Sequence, residues 1–160
     1  MSAARQKPAI LLLALGIILG VAPVDLGWPA AAGAVVVDPQ TGLAINGFDP
    51  VAYFTGEGAV QGREQYEYRQ AGAMWRFTNE GNRAAFIDHP DVYAPQFGGY
   101  DPVAIGRGVS VAGNPMNWAV VGERLYLFHD AKARADFVEA PRRAIESAHR
   151  QWPDVKRTLP

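Results

Sequence analysis

Two pairs of short segments rich in aromatic or apolar residues, each pair separated by a turn, span residues 66–77 and 118–128. The first pair is Tyr66–Arg69 and Ala73–Phe77, and the second is Trp118–Val121 and Leu125–Phe128, on either side of Gly122-Glu123. Segments of four or five residues rich in aromatic or apolar side chains on either side of a turn are typical of paired antiparallel strands. The pattern therefore predicts two β-hairpins.

Helical spacing of apolar positions follows each hairpin. One helix is expected to begin at Thr78 or Asn79 and end near Asp88, a second to be capped by Asp130 and run through Val138, and a third to extend from Pro141 until Pro153 stops it. The positions expected to face inward are Ala84, Ala85, Phe86 and Ile87 in the first helix and Ala144, Ile145, Ala148 and Trp152 in the third. Hairpins alternating with short helices predict a small single α+β domain.

The N-terminal region has the pattern of an export segment. Arg5 and Lys7 precede the uncharged apolar run 9–24, and small-residue sites suited to a signal peptidase follow at residues 30–34. Cleavage of a signal peptide (residues 1–34) and retention of residues 9–24 as a membrane anchor both fit this pattern. In either case the domain is expected outside the cytoplasm, as a periplasmic or secreted protein or one tethered to the inner membrane.

Composition excludes several classes of function. The 160 residues contain 15 Lys+Arg against 16 Asp+Glu, with no basic run that could hold nucleic-acid phosphates. The chain has no cysteine. Disulfides, Cys-ligated zinc, iron–sulfur clusters and thiol nucleophiles are therefore excluded, and any site must use histidines, carboxylates, hydroxyls and the backbone.

One heptapeptide occurs twice in similar form. Gly47–Tyr53 (GFDPVAY) is echoed by Gly99–Ile105 (GYDPVAI). Asp before Pro favours a helix start, because the carboxylate accepts a backbone N–H and the proline φ is already helical. Two interpretations follow: a pair of similarly built helix starts, or two carboxylates, Asp49 and Asp101, that converge on one ligand.

A set of motifs distributed over residues 43–155 forms a recognisable series. Its members are Gly47–Phe54, Trp75–Thr78 with Asn82 and Phe86, Pro90–Tyr100 (PDVYAPQFGGY), Asn114-Pro115, Trp118, Leu125–Phe128 and Trp152-Pro153. The series resembles the YHS-domain family, in particular its exported branch that includes selenoproteins. Because YHS modules occur in copper and heavy-metal proteins, the resemblance implies a role related to metals.

The sequence departs from that family at two chemically important places. Members of the branch carry Cys or selenocysteine after Gly-Gly-Tyr, where this chain has Asp101, and the motif that names the family has become Trp75-Arg76 with Thr78 after the phenylalanine. An aspartate cannot cycle in redox state. Asp101 is therefore expected to be a helix N-cap, worth about 1 kcal/mol, or an oxygen ligand for a metal ion.

The three histidines do not lie at chelating spacings, so a metal site would have to be assembled by the fold. His89 is expected at a helix end and His149 on the surface, whereas His129, directly after an apolar strand, is the best candidate to face a pocket. Asp101 and His129 are the predicted metal ligands. The cofactor is left open, with a divalent ion (Zn, Cu(II), Mn, Mg or Ca) as the class that these donors would accept.

A ligand site is also predicted around the Gly-Gly-Tyr motif. Its residues are Gln96, Gly98, Gly99, Tyr100, Asp101, Tyr53 and Asp49. The surrounding aromatic residues (Tyr53, Phe54, Tyr93, Phe97, Tyr100 and Trp118) fit either a hydrophobic core or an aromatic-lined pocket above the glycines.

Three hypotheses for the function follow. The first is an exported, non-catalytic binding protein that handles or senses a metal ion or binds a small ligand. The second is a degenerate YHS domain that serves as a scaffold for a protein partner. The third is an enzyme that uses the carboxylate pair Asp49 and Asp101 for acid–base chemistry.

Overall fold

The computed structural model describes residues 34–159 and has five helices and two separate two-stranded antiparallel sheets. The chain is therefore a small α+β domain. Its strands are β1 (Arg63–Gln70), β2 (Ala73–Phe77), β3 (Asn114–Val121) and β4 (Arg124–Phe128). Its helices are α1 (Glu80–Asp88), α2 (Pro90–Tyr93), α3 (Pro102–Ile105), α4 (Ala131–Glu139) and α5 (Pro141–Arg157), with short 3₁₀ turns at Ile45–Gly47 and Gln96–Gly99.

Both predicted hairpins are present, and both have two-residue turns. The turn residues Ala71 and Gly72 have φ of 52° and 79°, and Gly122 and Glu123 both have φ of 58°. Positive φ at both central positions defines the turn that matches the right-handed twist of paired strands. Each first strand is longer than the sequence predicts because it contains a bulge, between Arg63 and Glu67 in β1 and between Asn114 and Trp118 in β3.

Helices α1 and α4 begin where the sequence predicts, capped by Asn79 and Asp130, which accept hydrogen bonds from the backbone N–H groups of Asn82 and Ala133. The inward face of α1 was assigned too broadly. Phe86 is buried and Ala85 half-buried, but Ala84 and Ile87 are exposed. An α-helix nine residues long buries only one narrow stripe against a two-stranded sheet, so four consecutive positions cannot all face inward.

The end of α5 was also predicted wrongly, because the helix continues through Pro153 to Arg157. Proline removes one backbone N–H donor and so leaves the carbonyl of His149 without its helical partner. Ala148 and Val155, on either side of this break, are both buried. Packing of that face therefore keeps the helix continuous across the proline.

The echoed heptapeptide is part of a larger internal repeat. Residues 44–90, here called the N-repeat, and residues 95–141, the C-repeat, follow the same course: a 3₁₀ turn with positive φ, a buried Asp, a bulged hairpin and a capped nine-residue helix. Tertiary hydrogen bonds also correspond. The Gly62 N–H donates to the Gly47 carbonyl and the Gly113 N–H donates to the Gly99 carbonyl, both at 2.9 Å. The two helices even end with the same backbone geometry, at His89 (φ −138°, ψ 58°) and Ala140 (φ −144°, ψ 63°).

The predicted pair of helix starts is half correct. Pro102–Ile105 forms α3, but the residues after Asp49-Pro50 form consecutive turns, with Phe54 N–H donating to the Val51 carbonyl. Both aspartates nonetheless play the capping part that the sequence indicates, since each accepts the N–H groups two and three residues ahead.

Each repeat contributes most of one hydrophobic cluster. The larger cluster is centred on Trp75, Phe77 and Phe86 of the N-repeat, and the second on Phe128 and Phe137 of the C-repeat. Helix α5 packs on the second cluster through Ala148 and Val155. The helix that follows α1 in the N-repeat is the four-residue α2, whereas the helix that follows α4 in the C-repeat is the long α5. Helix α5 is therefore the main addition to the structure that the two repeats share.

The export or anchor segment predicted for residues 1–34 lies outside the described residues, apart from Ala34. Among the helices in residues 34–159, none is both long enough and apolar enough to cross a membrane.

Candidate functional site

A cleft of about 740 Å³ lies between the two repeats and helix α5. The N-repeat contributes Gln70, Trp75 and Phe86 to its walls, the C-repeat contributes the Gln96–Gly98 turn and Arg124, and α5 contributes His149, Trp152 and Lys156. Ala34 and Val35 close one side. The cleft therefore depends on the same Gly-containing turn that the sequence singles out.

The backbone of that turn explains why glycine is present. Gly98 has φ of 64°, and a Cβ added there would collide with the carbonyl of Ala34. The chain passes so close because Val36 N–H donates to the Gly98 carbonyl at 2.8 Å. Gly98 thus lets residues 34–36 lie against the turn and form one wall of the cleft.

Aromatic rings make up much of the cleft. The Phe97 ring lies edge-on to Trp152, with centroids 5.6 Å apart, and 5.0 Å from the ring of His149. Trp75 and Phe86, with centroids 4.9 Å apart, also border the cleft but belong to the hydrophobic core. Trp152 is therefore the aromatic ring most open to a planar ligand, because Trp75, Phe86 and Phe97 are buried and Trp152 is half-buried.

The charged groups of the cleft are two cations and one anion. Arg124 and Lys156 are the cations, and Asp91 is the carboxylate. Within residues 34–159, neither cation has an acidic partner within 4.0 Å. The Oε1 atom of Gln70 is buried and accepts no hydrogen bond from the described residues. A buried acceptor without a donor is costly, so rotation of this amide toward the cleft, where a ligand donor could reach the oxygen, would be favourable.

Asp49, a predicted ligand residue, is fully buried in a network of neutral groups. Its Oδ1 accepts the N–H groups of Val51 and Ala52 at 2.8 and 3.3 Å. Its Oδ2 accepts the N–H and hydroxyl of Thr78 at 2.7 and 2.8 Å and the side-chain amide of Asn82 at 2.7 Å. Five donors satisfy this carboxylate completely, and it does not border the cleft.

Asp101 occupies the corresponding position of the C-repeat and is equally buried. Its Oδ1 accepts the N–H groups of Val103 and Ala104 at 2.7 and 3.3 Å. Its Oδ2 accepts the backbone N–H of His129 at 3.0 Å and lies 2.5 Å from His129 Nδ1. With both oxygens engaged and no exposed surface, Asp101 acts on its surroundings through the His129 ring.

His129 joins this buried carboxylate to the surface. Its side chain is 43% exposed, and its Nε2 lies 3.1 Å from Oδ2 of Asp130, the cap of α4. The hydrogen bond to Asp101 is the main factor that raises the pKa of His129 above its ordinary value, with smaller contributions from the charges of Asp101 and Asp130, against partial desolvation and the charge of Arg107. The structure therefore brings together the two residues predicted as metal ligands.

Within residues 34–159, no group of three or more His, Asp or Glu side chains has an arrangement that could hold a metal ion. The exposed donors at this place are His129 Nε2 and the Asp130 carboxylate. Asp101 lies behind the histidine, in the position of a carboxylate that orients a ligating imidazole. The sequence predicts Asp130 only as a helix cap and not as a member of this site, although Asp130 directly follows His129.

The other predicted site residues divide between the cleft and the core. Gln96 and Gly98 border the cleft. Gly99 is buried, and Tyr100 is half-buried with its ring 6.1 Å from that of Trp152. Tyr53 is buried and donates its hydroxyl to the Pro115 carbonyl at 3.0 Å, and burial raises the pKa of this hydroxyl.

The predicted aromatic set is mostly core. Of its six members, only Phe97 borders the cleft, whereas Tyr53, Phe54, Tyr93 and Trp118 pack in or against the first hydrophobic cluster and Tyr100 packs against the second. His149 is exposed, as expected, but it also borders the cleft. The cleft residues that sequence reasoning missed, Gln70, Arg124 and Lys156, belong to three distant segments and carry no local signal.

No family model, no curated protein and no solved structure matches the chain.

Proposed function

We propose that this protein is an exported, non-catalytic binding protein of the YHS-like type that holds a small molecule in the cleft between its repeats. The observation that carries the proposal is the cleft itself. In a volume of about 740 Å³ it combines a half-buried tryptophan with two cations and an amide oxygen that have no partner among residues 34–159. Ligand pockets in proteins typically have volumes of roughly 300–1,000 Å³ and few, well-placed polar groups.

A fluorescent probe tests this proposal directly. The protein purified from cells that express the full chain is titrated with anilinonaphthalene sulfonate, whose fluorescence rises on binding and which accepts energy from tryptophan. We expect one site per chain. Trp152→Leu, which removes a ring from the cleft wall, should lower the affinity for the probe by about tenfold. Such a ring contact contributes on the order of 1 kcal/mol in addition to the free energy of burying its surface.

Trp118→Leu is the matched control. Trp118 is half-buried like Trp152, but it packs on Tyr53 with ring centroids 5.3 Å apart and does not border the cleft. The same substitution there should leave probe affinity unchanged while the circular dichroism of both variants stays like that of the parent. Equal weakening by both variants, or no saturable binding at all, would contradict the proposal; the latter is what the scaffold hypothesis predicts.

The metal-related part of the hypothesis is a second candidate, supported by the geometry of His129. An imidazole whose Nδ1 is held by a buried carboxylate presents Nε2 in a fixed direction, and the Asp130 carboxylate lies 3.1 Å from that atom. Against it, only two donors are exposed, and the N-terminus of α4 carries a partial positive charge that opposes a cation. We therefore place the metal second to the organic ligand.

Zinc titration calorimetry separates the two candidates. Asp130→Asn keeps a cap that accepts from the Ala133 N–H but removes the charged donor, and His129→Thr removes the imidazole. If a metal binds here, both variants lose zinc binding and leave probe affinity in the cleft unchanged. Zinc binding that survives in both variants would exclude this pair as the ligands.

A further inference from the structure

We infer that the ligand class of the cleft is a planar aromatic anion with a hydrogen-bond donor, an inference that rests on the function proposed above. The walls supply the first part of this specificity. The half-buried ring of Trp152, with Phe97 edge-on beside it, lines the cleft, whereas Trp75 and Phe86 border it from the core and are only 2% and 1% exposed. A flat aromatic ligand buries its surface there with little conformational entropy lost.

The charge of the cleft selects the sign of the ligand. Arg124 at the start of β4 and Lys156 near the end of α5 come from separate elements, and within the described part of the chain neither pairs with a carboxylate. His149 adds an imidazole, and Asp91 is the one acidic residue among those that line the cleft. A carboxylate or sulfonate between Arg124 and Lys156 would complement both cations, the arginine through its two-pronged guanidinium.

The Gln70 side chain sets the third requirement. The Trp75 indole N–H donates to the Gln70 backbone carbonyl at 3.1 Å, but the side-chain Oε1 has no donor among the described residues. The terminal torsion of a glutamine side chain is broad, so a small rotation turns the amide oxygen toward a neighbouring group. Because Oε1 is buried in the observed conformation, a hydroxyl or amino group on the ligand would satisfy this acceptor once such a rotation brings it to the cleft.

The experiment compares ligands that share one ring system and differ in charge. Naphthoate, naphthol and (aminomethyl)naphthalene compete at neutral pH with the fluorescent probe for the protein purified from cells expressing the full chain. We expect naphthoate to bind about tenfold more tightly than naphthol and the amine to bind most weakly. Hydroxynaphthoate, which adds a donor to the anion, should bind more tightly than naphthoate.

Two charge-removing variants identify the responsible residues. Lys156→Gln should lower the affinity for naphthoate about tenfold and leave the affinity for naphthol unchanged. Arg124→Gln should have the same effect. Arg150→Gln removes a cation from the same helix as Lys156, but outside the cleft, and should have no effect. Gln70→Leu should abolish the preference for hydroxynaphthoate over naphthoate.

Each contrary outcome has a distinct meaning. Equal affinity for the anion, the alcohol and the amine, unchanged by Lys156→Gln, would overturn the ligand class while leaving the binding function in place. Binding by none of the compounds would overturn both. If the cleft instead receives a second copy of the chain, none of the compounds binds and Lys156→Gln changes the sedimentation coefficient, which also overturns the inference.

Discussion

The N-repeat and the C-repeat bury an aspartate in the same backbone setting but connect it to different chemistry. Asp49 accepts its five hydrogen bonds from backbone amides, a hydroxyl and a carboxamide. Asp101 accepts from backbone amides and the ring of His129. Two positions make the difference: the residue after the second strand of each hairpin is Thr78 in one repeat and His129 in the other, and α1 supplies the Asn82 carboxamide where α4 has Ala133.

This difference indicates that the primary role of the shared aspartate is structural. In both repeats the carboxylate fixes the turn that follows it and fastens that turn to the residue after the hairpin. Only in the C-repeat does the same carboxylate reach a titratable, partly exposed group. A structural network thus carries a chemically active side chain in one of its two copies.

The largest effect is expected when each aspartate is removed in turn. Asp49→Ala leaves five buried or half-buried donors without their acceptor. We expect it to lower the free energy of unfolding by roughly 3–5 kcal/mol. Asp101→Ala should cost about 1 kcal/mol less, because the exposed His129 ring can turn to water for a partner. Urea unfolding of both variants measures the difference.

A larger loss in Asp101→Ala than in Asp49→Ala would contradict this ranking. It would mean that the bond between Asp101 and His129 holds the C-repeat together more strongly than the neutral network holds the N-repeat. Asp38→Ala is the control, since Asp38 caps its own turn through Gln40 and Thr41 at an exposed position and should lose far less.

Local signals predicted the elements of both repeats well. Asn79 and Asp130 capped their helices as expected, and the two hairpins formed around their turn residues. The helix ends and buried faces were predicted less well. Pro153 is tolerated because α5 is held by packing on both sides of it, a tertiary effect that no local pattern contains.

The candidate site was predictable only where a local motif or a place next to a predicted element marks its residues. Gln96 and Gly98 lie in a single motif, and His129 was distinguished by its place after an apolar strand. The meeting of Gln70, Arg124 and Lys156 depends on how the two repeats pack against α5. Residues so distant in sequence come together only in the folded chain.

A second difference between the repeats lies in their positive-φ turns. Asn46 and Gly98 have similar φ, 54° and 64°, values that asparagine tolerates. Gly98→Asn should nevertheless cost roughly 1–2 kcal/mol, because its Cβ collides with the Ala34 carbonyl. The expected result is fast hydrogen exchange at the Val36 N–H, which loses its bond to Gly98.

Asn46→Gly is the reciprocal test. Asn46 is exposed, so replacing it should change the unfolding free energy by less than about 1 kcal/mol, mainly through added freedom of the unfolded chain. If Gly98→Asn were as mild as Asn46→Gly, the close approach of residues 34–36 to the turn would not contribute to stability, and that wall of the cleft would be loosely held.

The smallest effect, and the most specific, is expected from exchanging the residue that distinguishes the repeats. His129→Thr gives the C-repeat the residue of the N-repeat, and a threonine can donate its N–H and hydroxyl to Asp101 as Thr78 does to Asp49. The fold should therefore survive with a modest loss of stability. What should disappear is a pH dependence that the parent protein owes to the histidine.

The sign of that dependence follows from the raised pKa of His129, which its bond to Asp101 lifts above 6.5. A group with a raised pKa in the folded state contributes stability that is complete below its unfolded pKa and is lost as pH rises through the folded value. Unfolding free energies measured from pH 6 upward should thus fall in the parent and not in His129→Thr. The contribution is small because solvent screens a side chain that is 43% exposed. The same slope in both proteins would show that the Asp101–His129 bond is not the origin of the pH dependence, and the two repeats would then be equivalent in their chemistry as well as in their fold.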